Sequence, residues 1–384
     1  MSSLEFQKDR KSTLLEVDGG SPESGASLHR LRAITYASAI GIAVVVFFHS
    51  HHQSADIKSV GLDRLISSLQ AFASSFQMPL FFAISGFLYA YTNKPGRHRT
   101  YLELLRGKMA RLLLPYVVIS TFVYPIKCFL SRFAIRPLSM GWRPYVESLL
   151  IPDKNPVAFF WFLPTLFCIF LVAPVLLACF RLKTKAPAWC LKVLVTALLI
   201  GVRLNCHNVL GRIPNVLSIQ NALTDLLFFW AGMWICYSRE NIFIGLSKPV
   251  RNGAGMPTAR TLIAAAMILM TFHICLFNFD AFASAPARKV IMAFLGIGET
   301  CCCALALGNR DIRLLNTLGL YSYQIYLLSW FFQVPIQIVN IHFLPGIPVL
   351  ISTSISFLVG IVGPLLCVWL VLSFVPRIKP LIGL

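Results

Sequence analysis

Arg30-Leu31-Arg32-Ala33-Ile34-Thr35-Tyr36-Ala37-Ser38-Ala39-Ile40-Gly41-Ile42-Ala43-Val44-Val45-Val46-Phe47-Phe48-His49 is the stretch that decides the fold. Two arginines precede a run that carries no charged side chain before its closing histidine. At about 1.5 Å of rise per residue, such a run nearly covers the hydrocarbon of a bilayer. A basic entry followed by an apolar helix reads as an uncleaved anchor with its cationic end in the cytoplasm. The remainder of the 384 residues repeats the pattern, being 57% hydrophobic and 13% charged. A soluble domain would carry about 45–50% and about 25%. Intrinsic disorder and a simple secreted fold are excluded, and the expected class is an all-α polytopic membrane protein.

Apolar runs of span length lie near 33–49, 69–91, 112–131, 159–180, 187–203, 222–238, 260–279, 289–307, 314–340 and 348–375, about ten helices in all. The fifth is short and holds Lys192 near its start; the ninth is overlong and is expected to break near Pro335. With a cytoplasmic N-terminus, 22 of the 34 Lys and Arg residues fall in cytoplasmic segments and 10 on the other side. That asymmetry predicts both termini in the cytoplasm and accounts for the net charge of +19, so no nucleic acid partner is needed to explain it. Residues 1–30 read as a disordered cytoplasmic tail and 31–384 as a single ten-helix membrane domain. The 11 cysteines, three of them adjacent at Cys301–Cys303, form no CxxC pair. They read as small packing residues, with no metal site expected.

Ionisable residues within spans are functional candidates because the bilayer makes them costly. Here they are His49, Lys127, Asp225, His273 and Glu299. His49 closes the first span, where an imidazole suits removal of a proton from an alcohol. The competing reading is an interfacial histidine bonded to water or a loop carbonyl. In Gln77-Met78-Pro79-Leu80-Phe81-Phe82-Ala83-Ile84-Ser85-Gly86-Phe87, Pro79 is expected to kink the helix. Ser85 is either a nucleophile in need of a base or, with Gly86, part of a close helix contact. The loop with Lys94, Arg97, Arg99, Arg106, Lys108 and Arg111 holds one acid, Glu103. It either signals topology to anionic membrane lipids or holds the phosphates of a soluble anionic cofactor. Glu299 and Asp225 are expected to face the bundle interior, in a polar cavity or in buried pairs. With Lys127 they also fit a transporter. Trp161 reads as an interfacial anchor.

Taken in order, these stretches resemble the acyltransferase 3 family, membrane-embedded O-acyltransferases of sugars and polysaccharides, over about 34–375. Ile34–His49 is similar to the family's first helix, which ends in its catalytic histidine. Met78–Phe82 with Ser85-Gly86-Phe87 is similar to its second-helix signature. Arg106, Lys108 and Arg111 before Pro115-Tyr116 match its basic loop. Trp161-Phe162-Leu163 and Leu318-Gly319-Leu320-Tyr321-Ser322-Tyr323-Gln324-Ile325-Tyr326-Leu327 match later elements.

The resemblance implies ten core helices and an acyl-CoA donor, usually acetyl-CoA. It also implies transfer across the bacterial inner (plasma) membrane to a polysaccharide or lipid-linked oligosaccharide. By the same resemblance His49 is the general base or a transient acyl carrier; Ser85 and Glu299 are further catalytic candidates from their residue type and place within spans. Arg97, Arg99, Arg106, Lys108 and Arg111 are donor-phosphate or structural contacts. Thr35, Ser38 and Ser329 stand where the family usually has Asp, a basic residue and His. Arg32, two helical turns before Ser38, replaces that cation only if its reach bridges the gap.

Overall fold

The computed structural model describes residues 24–51, 61–93, 100–129, 138–182, 185–211, 213–247, 258–279, 285–344 and 347–374. Among them there is no β-strand, and the helices are α1 (Ser24–Phe48), α2 (Leu62–Ser74), α3 (Gln77–Thr92), α4 (Tyr101–Lys108), α5 (Leu114–Phe129), α6 (Trp142–Leu150), α7 (Phe162–Arg181), α8 (Lys185–Leu210), α9 (Ile219–Ser247), α10 (Ala259–Phe277), α11 (Pro286–Leu307), α12 (Arg313–Leu320), α13 (Ser322–His342) and α14 (Val349–Phe374). Among the described residues eight helical segments are long and apolar enough to cross a membrane, and α1 adds a shorter apolar helix over Arg32–Phe48. The protein is an all-α, multi-pass membrane protein. The tail up to residue 23, with Arg97 and Arg99 of the basic loop, lies outside the described residues.

Three expected boundaries move, each for a physical reason. The long ninth run breaks at Tyr321, which leaves helical geometry at φ −100 and ψ 14, while Pro335 sits inside α13. Neighbouring helices can satisfy the carbonyl that a proline frees. Pro79 does not kink a helix, because it lies in the first turn of α3, where no intrahelical N–H is required. The interruption falls earlier, at Ser75–Phe76, between α2 and α3. Between α4 and α5 the ladder widens into a π-helix over Met109–Leu113, which carries Arg111. The fifth run is longer than its hydropathy suggested. It forms α8, with the Lys192 ammonium 4.9 Å from the Phe180 ring centroid.

Helices meet closely where a side chain is missing. A Cβ on Gly86 would lie 1.9 Å from the Phe229 carbonyl oxygen, and one on Gly232 would lie 1.9 Å from that of Ala83. Thus α3 and α9 touch backbone to backbone, as small residues permit between membrane helices. Gly319 of α12 meets Thr35 of α1 in the same way, at 2.0 Å from its carbonyl oxygen. The core around these crossings is aromatic, with Phe82, Phe160, Phe228, Phe229 and Trp230 fully buried. Tyr116 of α5 ties α6 into it through a 2.9 Å bond to the Leu149 carbonyl.

Candidate active site

The end of α1 is held by glutamine side chains from neighbouring helices. A helix leaves its last four carbonyls without intrahelical partners. Here the Val45 carbonyl takes the His49 amide at 3.2 Å. Gln333 Nε2 donates to the Val46 carbonyl at 2.9 Å, and Gln70 Nε2 donates to those of Phe47 and Phe48 at 3.0 Å each. Gln337 Nε2 donates to the His49 carbonyl at 2.6 Å. Gln70 comes from α2; Gln333 and Gln337 lie four residues apart on one face of α13. All three side chains are buried. The Oε1 atoms of Gln333 and Gln337 are buried with no hydrogen-bond partner among the described residues.

The imidazole these bonds position is partly exposed. Its ring centroid is 4.9 Å from that of Phe159, tilted by 42°. Phe159 belongs to the 3-10 turn Ala158–Trp161. Its carbonyl accepts a hydrogen bond from the buried Tyr326 hydroxyl, and the two rings meet edge to face at 5.2 Å. Phe82 of α3 packs on Phe162 at 4.8 Å, and Phe162 on Tyr326 at 5.6 Å. The histidine helix, the Met78–Phe87 stretch, the Trp161 stretch and the Tyr326 stretch thus form one cluster. Trp161 is no simple interfacial anchor: it packs against the core, and its carbonyl accepts from Thr165 at 2.6 Å and Ser218 at 3.3 Å.

The described part of the basic loop is ordered by a capping box between Thr100 and Glu103. Glu103 therefore caps a helix, and Arg106 and Arg111 form no ion pair among the described residues. Both are exposed, whereas Lys108 is half-buried with its ammonium 3.8 Å above the Phe170 ring. The Arg111 guanidinium lies 5.8 Å from the Tyr323 ring, and the Tyr323 hydroxyl donates to the Arg111 carbonyl. Exposed guanidinium groups such as those of Arg106 and Arg111, on a fixed turn, suit phosphate oxygens.

Other candidates are placed elsewhere. Ser85 is half-buried in α3, with no hydrogen-bond partner among the described residues, beside the Gly86 crossing. Ser38 Oγ bonds back to the Ile34 carbonyl at 3.0 Å. Arg32 reaches the Gly308 carbonyl at 3.4 Å, at the end of α11, so it does not extend along α1 toward Ser38. Asp225 pairs with Arg203 at 3.0 Å, and the Lys127 ammonium bonds the Pro156 carbonyl at 2.8 Å. Among the described residues no group of histidine, cysteine and acidic side chains could hold a metal ion.

Glu299 does not join His49. Its Oε1 lies 3.0 Å from His273 Nδ1, and His273 Nε2 lies 3.0 Å from Ser75 Oγ. Glu299 and His273 are buried to 4% and 0% exposure, and Ser75 is only half-buried. Sequence reading missed Ser75, which is 198 residues from His273. The one local signal was Gly296-x-x-Glu299. A Cβ on Gly296 would lie 2.2 Å from Phe76 Cγ, so this glycine lets α11 bring Glu299 onto the α2–α3 break.

The family model described as an acyltransferase domain, that of acyltransferase 3, matches residues 31–373. No curated protein and no solved structure matches the chain.

Proposed function

The chain belongs to the acyltransferase 3 family, as its match over residues 31–373 establishes, and from that premise we propose that it moves an acetyl group from cytoplasmic acetyl-CoA to a sugar hydroxyl, with His49 as general base. The acceptor is an exported or lipid-linked polysaccharide, and the protein resides in a bacterial inner membrane with both termini inside. One observation carries the reading. His49 is fixed by bonds to the carbonyls of its own turn, which leaves its ring against Phe159 and partly open. A base that is rigid in its backbone and partly exposed at its ring is suited to meeting a substrate proton.

In this mechanism the acceptor hydroxyl gives its proton to His49 as its oxygen attacks the acyl carbonyl. The buried Oε1 atoms of Gln333 and Gln337 offer acceptors for further sugar hydroxyls beside that turn. Arg106, Lys108 and Arg111, with Arg97 and Arg99 from the same loop, hold the donor's phosphates on the opposite, cytoplasmic side. Arginine forks match phosphate oxygens in pairs, and the lysine adds a point charge. The transporter alternative rested on uncompensated intramembrane charge. The Asp225–Arg203 and Glu299–His273 pairs weigh against it. NMR of surface glycans from a deletion strain tests the proposal: O-acetyl signals should vanish and return on complementation. Unchanged signals would refute the acceptor class. A degenerate family member acting only as a partner, the reading that Ser38 favours, predicts no acetyl transfer by the purified protein.

A further inference from the structure

Ser75, His273 and Glu299 are joined in the order nucleophile, base and orienting carboxylate, at 3.0 Å for each link. A hydroxyl becomes a useful nucleophile when a base is within hydrogen-bond reach and a third group fixes that base. Here the base is sealed and its orientation overdetermined: the Phe72 ring lies 4.1 Å from the His273 ring, and Phe76 closes a second side at 5.8 Å. Only the serine end is partly open.

A second, independent feature sits at the same point. Phe76 is the N-cap of α3, with no side-chain cap. The Leu80 amide bonds back to the Phe76 carbonyl at 2.9 Å, the first turn of that helix. The N-terminal end of a helix favours negative charge, which is what an acyl carbonyl develops under attack. Gln77, 5% exposed, also keeps its Oε1 without a hydrogen-bond partner. Nucleophile, base, orienting acid and a helix N-terminus therefore converge on one helix break.

We propose that Ser75 is a nucleophile that takes the acyl group from a thioester and holds it as a serine ester, with His273 as its base, Glu299 orienting that base and the α3 N-terminus binding the oxyanion. The inference takes its thioester donor from the function proposed above and adds a covalent station to it. In the ground state the Ser75 hydroxyl donates to the Phe72 carbonyl at 2.7 Å, and rotation about Cβ–Oγ redirects its proton to His273 Nε2. Oγ then forms a bond to the acyl carbon, the C–S bond breaks, and the thiolate departs with the electron pair. The proton stays on His273 as an imidazolium paired with Glu299. In the second half the acceptor oxygen, its proton taken by His49, attacks the ester. The C–O bond to Ser75 breaks, and Oγ recovers the proton from His273. His49 returns its proton to solvent, where it balances the thiolate. The two halves share α2: Gln70 anchors the turn beside His49, and Ser75 follows five residues later, about 7.5 Å along the axis.

The test is intact and peptide mass spectrometry of the purified full chain after brief exposure to acetyl-CoA and, separately, to p-nitrophenyl acetate. The expected result is an acetyl adduct on Ser75 with both, absent in Ser75→Ala. The adduct should form about 100-fold more slowly in His273→Gln, still form in Glu299→Gln at a reduced rate, and accumulate in His49→Ala. Ser75→Cys should restore a trapped adduct, as a thioester, which a purely structural role would not do. An adduct from the activated ester but not from acetyl-CoA keeps the Ser75 site and refutes the donor. No Ser75 adduct with either, while wild type and Ser75→Ala transfer acetyl equally, overturns the inference and leaves the proposed function standing.

Discussion

Among the described residues, His49 and His273 are both held by neighbouring helices, and the way they are held is opposite. At the end of α1, neighbouring helices grip the backbone, through glutamine amides on four successive carbonyls, Val46 to His49, and leave the ring partly open. At the α2–α3 break the ring itself is gripped: both nitrogens are engaged, two phenylalanines cover it, and it has no solvent exposure. Holding the backbone fixes where a base stands while its ring keeps partial exposure toward a substrate. Holding both nitrogens fixes a tautomer, so only the group at the far end, Ser75, is left to react.

The comparison breaks first at Glu299. Replacing it with Leu leaves His273 Nδ1 buried without an acceptor, and stability should fall by about 1–3 kcal/mol, read as a lower midpoint of thermal unfolding in detergent. Glu299→Gln, which keeps an acceptor, should recover most of the loss. Next comes the grip on α1. Gln337→Leu removes the 2.6 Å bond to the His49 carbonyl. It should lower acetyl transfer about tenfold, the equivalent of one net hydrogen bond, with little change in the KM for donor. The converse pattern is expected at the basic turn of Lys108 and Arg111. Arg111→Ala with Lys108→Ala should raise the KM for acetyl-CoA about tenfold or more and leave kcat nearly unchanged. An unchanged KM would assign these cations to lipid contact.

The smallest effect concerns His51, just past the same turn. Burial pushes its proton affinity below the ordinary value, and the Asp63 carboxylate only partly offsets this. The unfolded chain therefore takes up the proton first. The resulting stability is complete above about pH 6.5 and is lost as pH falls through and below that value. Thermal midpoints measured at about pH 7.5 and 5.5 should converge in His51→Gln relative to wild type.

Much of this was legible from residues alone. The charge-free run after Arg32 and the crossing implied by Ser85-Gly86 follow from local pattern, and the Tyr326 stretch was marked by the family resemblance. The helix break at Ser75–Phe76 did not show, because Pro79 drew attention to the wrong position. The Pro335 expectation failed similarly, since α13 continues through proline whereas the chain turns at Tyr321. The glutamine grip and the Ser75–His273–Glu299 chain were invisible for a different reason. Their partners lie on separate helices, up to 288 residues apart for Gln337 and His49, and no periodicity links them. Pairing also changes how single residues read: Asp225 and Glu299 looked alike in sequence, yet one is held by Arg203 and the other orients a histidine.

The most direct measurement is transfer of labelled acetyl from acetyl-CoA to a glycan acceptor by purified protein, comparing wild type with His49→Ala at matched folding and expression. Loss of a general base should reduce the rate about 10²–10⁴-fold while the thermal midpoint stays close to that of wild type. Full transfer by a folded His49→Ala protein would contradict the account.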